Sequence, residues 1–175
     1  MIVWLNGTFG AGKTTTAKAL TPLLPNARIF DSEHVGYLLG HVLTTEPVAD
    51  FQDWPPWRAL VVATARQILD YVGGTLVIPQ SVLVRDYWRD IREGLTEAGI
   101  PLHHVVLHAT RDELVRRIHA DTVEAGASQW RLDHLAPYEA ALPWLKEEAS
   151  LIDTTDVAPE RVAEHIAASL TPGRP

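Results

Sequence analysis

Apolar residues fall along this chain in two patterns. One is a set of short, mostly apolar runs closed by Asp, Pro or Gly. The other is a set of longer stretches with an apolar residue every third or fourth position. The first pattern is that of buried parallel strands and the second that of amphipathic helices. Strands are predicted at 2–5, at 27–30 ending on Asp31, at 75–78 halted by Pro79, at 104–107, and at 151–152 ending on Asp153. Helices are predicted at 13–24 with a kink at Pro22, at 35–43, at 57–71 closed by Gly73 and Gly74, at 85–98 closed by Gly99, at 111–121 and at 160–170. Residues 44–56 are polar and turn-rich, and 123–134, with Gly126 and Ser128, read as a mobile insert. Strand and helix alternate, which predicts an α/β fold: one domain with a five-stranded parallel sheet and helices on both faces.

Composition narrows the function classes. At 175 residues and 46% hydrophobic, the chain has enough apolar content for one full core. A net charge of −7 disfavours nucleic acid or an anionic membrane surface as the main partner, since both reward a basic footprint. There is no cysteine, so disulfides, a thiol nucleophile and Cys-based zinc sites are excluded. No apolar run has the length of a transmembrane segment, and the first residues lack the pattern of a signal peptide. Together these features predict a cytoplasmic protein.

The strongest chemical signal is Gly7-Thr8-Phe9-Gly10-Ala11-Gly12-Lys13-Thr14, which fits G-x-x-x-x-G-K-[ST] in full between a strand and a helix. Gly7, Gly10, Ala11 and Gly12 let backbone N–H groups turn around a polyphosphate, and the following helix aims its positive end at the same anion. Lys13 reaches the β and γ oxygens, Thr14 supplies a hydroxyl ligand for Mg²⁺, and Thr15 continues the same turn. ATP with Mg²⁺ is therefore the expected cofactor. No Asn/Thr-Lys-x-Asp guanine motif is present, and no apolar strand ends in the Asp-Glu of a motor ATPase.

Ligands of open parallel sheets bind beyond the carboxyl ends of the strands. Those positions hold Asp31, Ser32 and Glu33 after the second strand, Gln80 and Ser81 after the third, and Asp153, Thr154 and Thr155 after the fifth. Asp31 is the candidate general base for a substrate hydroxyl, and Asp-Ser before a helix is also good capping chemistry. Glu33 either helps to hold Mg²⁺-bound water or serves as a first-turn acid favoured by the helix dipole. Trp54 and Trp57 either stack on an acceptor or pack beside the prolines, and Arg58 either contacts the acceptor or forms an ion pair. His103 and His104 point to opposite strand faces and share no metal, and His34, His41 and His119 lack metal-ligand spacing.

The loop, the acidic residue after the second strand and the two inserts resemble small-molecule kinases of the adenylate kinase type. More closely, residues 2–14, Asp50-Phe51-Gln52, Trp57-Arg58-Ala59, Leu76-Val77-Ile78-Pro79 and His103-His104 are similar to the tunicamycin-resistance ATP-binding proteins. Asp31-Ser32, Arg58-Ala59-Leu60 and Asp153-Thr154-Thr155 also look like chloramphenicol phosphotransferase. The resemblance implies ATP-dependent phosphotransfer to a hydroxyl of a nucleoside-like or sugar-containing antibiotic such as tunicamycin. Sequestration of the drug without modification is the rival. It further implies a substrate-binding insert at about 32–72 with an acceptor contact at Arg58, and a lid at about 121–136. Arg117 would lie against adenine beside Asp153, Thr154 and Thr155, while Arg131 would reach the transferred phosphoryl group. Asp121 stands where related chains often carry a further arginine.

Overall fold

Strand β1, Ile2–Asn6, is buried along its whole length, so its neighbours must cover both of its faces. They do so in the computed structural model, which describes residues 1–121 and 125–170. β2 (Ala27–Ile29), β3 (Thr75–Pro79), β4 (Leu102–His108) and β5 (Ser150–Asp153) join β1 in a single sheet of order β2-β3-β1-β4-β5, with every pair parallel. Alternation along β1 sorts the core. Val3 and Leu5 pack with Ala17 and Leu20 of α1 (Lys13–Leu20) and with Val162 and Ile166 of α8 (Pro159–Leu170). Ile2 and Trp4 pack with Trp57 and Val61 of α3 (Pro55–Val72) and with Trp88 and Ile91 of α4 (Arg85–Glu97). The remaining helices are α2 (Glu33–Val42), α5 (Arg111–Ala120), α6 (Ser128–Asp133) and α7 (Leu135–Glu148).

The chain departs from its periodicity in three places. α7 carries Pro143 in its interior and Pro137 in its first turn, so proline hides a helix that buries Leu135, Tyr138, Ala141 and Leu145 on one face. Pro143 is exposed, and that tertiary packing outweighs the lost backbone bond. The segment expected as a mobile insert is helical over α6, where Phe9 packs edge-on against Trp130 and His134. Residues 123 and 124 of that expectation lie outside the described residues. α1 ends at Leu20 and tightens into a 3-10 turn, Thr21–Leu23, around Pro22.

His104 sits in register with Trp4, its ring 3.8 Å from that of Trp88, while His103 is exposed. Burial pushes the His104 imidazole down to about 4 from its usual 6.5. A buried neutral histidine stabilises the fold above the unfolded pKa, and that stability is lost as pH falls from 6.5 toward 4. The loss on full protonation is about 3 kcal/mol. Urea unfolding of wild type should show this decline between pH 7 and 4, and His104→Gln, which can still accept from Asn6, should flatten it.

Candidate active site

The carboxyl ends of β1 and β3 are clipped together by one buried side chain. Asn6 Oδ1 accepts from Gly7 N–H at 2.8 Å and Val82 N–H at 3.0 Å, and its Nδ2 donates to Val82 O at 2.9 Å. Ser81 Oγ adds a bond to Gly7 O at 2.6 Å. Gly7 has φ 135° and lies so close to β4 that a Cβ would stand 2.5 Å from Leu107 O, so no other residue fits. The loop then turns through Gly10 and Gly12, both at positive φ, into α1.

Lys13 folds back into this loop, donating to Gly7 O at 3.1 Å and Thr8 O at 2.8 Å. Burial lowers its ammonium to about 8; attraction by Glu33 opposes that shift and repulsion by Arg131 adds to it. A bound polyphosphate favours the ammonium form and raises that value, so binding takes up a proton above pH 8. ATP affinity should hold below pH 7.5 and fall as pH rises through about 8. Calorimetry at pH 8.5 in buffers of different ionisation enthalpy should register the uptake.

The loop forms the floor of a cleft of about 1470 Å³. Gly10, Ala11, Gly12, Lys13, Thr14, Thr15, Asp31, Glu33, Gln80, Arg117, Arg131 and Thr154 all line it. Thr14 is exposed in the first turn of α1 and its hydroxyl makes no hydrogen bond among the described residues, which suits a ligand to Mg²⁺. Asp31 both faces the cleft and closes a turn, its Oδ1 accepting from Glu33 N–H at 3.0 Å. Gln80 is buried, with its Oε1 accepting from Ser32 Oγ at 3.0 Å. Arg117 ties the two sides of the floor together. Its guanidinium donates to Gly10 O at 3.2 Å and Thr154 O at 2.6 Å, and Glu113 Oε1 holds it at 2.6 Å. Arg116 and Arg117 together draw the Glu113 carboxyl down to about 2. Arg131 pairs with Asp121 at 2.6 Å and stands near Phe9.

Six expected site residues do not line this cleft, among them Trp54, whose Nε1 donates to Glu46 O at 2.9 Å. Trp57 is fully buried, with its Nε1 donating to Ser32 O at 3.1 Å and its ring packed on Phe51, so it has no free face for an acceptor. Arg58 is also beneath the wall: it pairs with Asp90 at 2.9 Å, donates to Gln52 O and stacks over Tyr87. The Gly7 amide turns inward to Asn6 instead of toward a phosphate. Asp153 Oδ1 accepts from Thr155 N–H at 2.8 Å, and Thr155 Oγ1 accepts from Thr110 N–H at 3.1 Å, so both brace the strand ends. Beside Thr154 the cleft is lined by Asp156, Val157, Ala158 and Pro159. Asp50, Gln52, Asp53 and Tyr87 also line the cleft; Asp50 and Gln52 were singled out only for their likeness to a family, and none of the four was expected as a site residue. The Asp50 to Asp53 spacing of a capping box was the available signal, and both of its reciprocal bonds are made around a 3-10 turn, Phe51–Asp53.

Among the described residues no group of acidic, His or Cys side chains is placed to hold a metal by itself, and no helix is long and apolar enough to cross a membrane.

A phosphate loop after the central strand of a parallel sheet ordered 2-3-1-4-5 defines the P-loop kinase fold. The solved structures agree. The tunicamycin resistance protein of Deinococcus radiodurans is 31% identical over 99% of this chain and 98% of its own, with a TM-score of 0.72. A sugar kinase from Janibacter sp. HTCC2649 is 21% identical over 95% of this chain and 92% of its own, with a TM-score of 0.69. The Mycobacterium tuberculosis APS kinase, solved with AMPPNP and APS, is 20% identical over 97% and 96%, with a TM-score of 0.62. The chain belongs to the tunicamycin resistance protein family. No family profile matches it, and no curated protein does so.

Proposed function

We propose that the protein is an ATP-dependent phosphotransferase acting on a hydroxyl of a nucleoside-like or sugar-containing antibiotic such as tunicamycin. The observation that carries this reading is the meeting, in one cleft, of Lys13 on the phosphate loop with Asp31 and Glu33 at the end of β2. Thr14 is the residue to hold Mg²⁺, which supplies charge neutralisation across the β and γ phosphates when bound. Asp31 takes the proton of the acceptor hydroxyl as that oxygen bonds to the γ phosphorus. The bridging P–O bond to the β phosphate breaks, and ADP leaves with the electron pair. Lys13 and Arg131 stabilise the charge on the transferred group, and Arg117 with Thr154 borders the base. The stretch 32–72 forms the acceptor wall, and 121–136, of which 122–124 lie outside the described residues, forms the lid around α6. Likeness to a protein named for tunicamycin resistance supports the acceptor class.

Mass spectrometry of tunicamycin after incubation with protein, ATP and Mg²⁺ tests the reading. A phosphate adduct on the drug is expected. Unaltered drug held tightly by the protein would mean sequestration instead.

A further inference from the structure

The two flanks of the cleft differ in charge. Around and above the phosphate loop it is lined, among the described residues, by five cations, Lys13 and Lys18 of α1, Arg116 and Arg117 of α5 and Arg131 of α6. Against them stand three carboxylates, Glu113, Asp121 and Asp156, of which Glu113 pairs with Arg117 and Asp121 with Arg131. The flank at the ends of β2 and β3 presents Asp31, Glu33, Asp50 and Asp53. Among the described residues no arginine of β2, α3 or α4 lines the cleft; Arg58 is spent on Asp90 and Gln52 O behind the wall.

These carboxylates are held in place. Asp50 Oδ1 accepts from Gln52 N–H at 2.9 Å, Asp53 Oδ2 accepts from Asp50 N–H at 3.2 Å, and Asp53 Oδ1 accepts from Tyr87 O–H at 3.0 Å. Gln52 Nε2 in turn donates to Ser81 O at 3.0 Å, which fastens the segment to the end of β3. A wall fixed in this way cannot swing its charge aside for an anionic ligand. Ionised carboxylates accept hydrogen bonds and donate none, so the partner that satisfies them brings O–H or N–H groups.

We propose, resting on the phosphotransfer reading above, that this flank selects an acceptor without negative charge, a neutral or cationic polyhydroxyl compound. Asp50 and Asp53 are the residues that exclude anionic acceptors. Exclusion works through like-charge repulsion in a partly desolvated cleft, where specificity comes from penalising the wrong partner.

The test uses the full chain with ATP and Mg²⁺ and acceptors matched in shape but not in charge: uridine against uridine monophosphate, methyl glucoside against glucuronate, and glucosamine as the cationic member. Neutral and cationic members should exceed anionic ones in kcat/KM by about 10²-fold or more. In Asp50→Asn/Asp53→Asn the ratio should narrow by about tenfold, through a gain on the anionic member. Asp53→Asn alone, which keeps an oxygen for Tyr87, serves if a thermal melt shows the double variant unfolded. Equal use of anionic members by wild type overturns the charge selection and leaves phosphotransfer standing. An unchanged ratio in the folded variant overturns the role of these two residues. Transfer to tunicamycin but to no member of the panel overturns this inference alone, and transfer to neither, with ATP binding intact by calorimetry, overturns the phosphotransfer reading with it.

Discussion

Lys13→Ala is expected to lower ATP-dependent transfer by about 10²-fold or more while leaving the fold intact, because one ammonium serves both bound nucleotide and transition state. Among the described residues that ammonium hydrogen-bonds the Gly7 and Thr8 carbonyls, at the edge of the cleft. Its removal exposes them to water and opens no cavity in the core. Lys146→Ala is the matched control, since Lys146 is exposed on the last turn of α7 and does not line the cleft. Calorimetric titration with ATP and circular dichroism separate the outcomes. Full ATP affinity in Lys13→Ala would show that nucleotide binds elsewhere, and equal losses in the two variants would show that the loop lysine has no specific role in holding it.

Asp31→Asn separates chemistry from architecture. The amide keeps an oxygen for the Glu33 N–H and loses the charge and basicity, so the turn survives while proton transfer does not. Phosphotransfer should fall by about 10²-fold or more at unchanged ATP affinity, read from single-turnover rates beside a binding isotherm. A drop in melting temperature with transfer retained would make Asp31 a turn former. A folded variant that binds ATP and transfers at the wild-type rate would move the proton to Glu33, whose charge reaches Lys13.

β1, β3 and β4 were legible because burial on both faces writes continuous apolar runs, the largely exposed edge strands β2 and β5 because a short apolar run closes on Asp31 and Asp153, and most helices because they leave a 3.6-residue rhythm. The loop was legible because its backbone geometry admits few residue types, as the crowded Gly7 shows. α7 was hidden because Pro143 contradicts helix at the local level while packing of the opposite face enforces it. Trp57 and Arg58 illustrate the harder limit. Sequence placed them on a helix, as the structure does, but whether a helix residue faces cleft or core depends on how α3 is rolled against β3. The helix turns both of them inward. Asp50 and Asp53 were overlooked for the converse reason: their capping bonds are local, and nothing local shows that the turn so formed borders a cleft.

The packing of Phe9 against α6 bears on how interchangeable phosphate loops are. In the signature the second and third positions are free, and here they are taken: Phe9 meets Trp130 and His134, and Thr8 Oγ1 lies 3.5 Å from His134 O. These two residues are therefore matched to a segment more than a hundred positions downstream. Grafting the eight-residue loop from a relative would preserve its phosphate-binding pattern and still break that match. Chimeras in this family should be cut so that the loop and α6 come from the same parent.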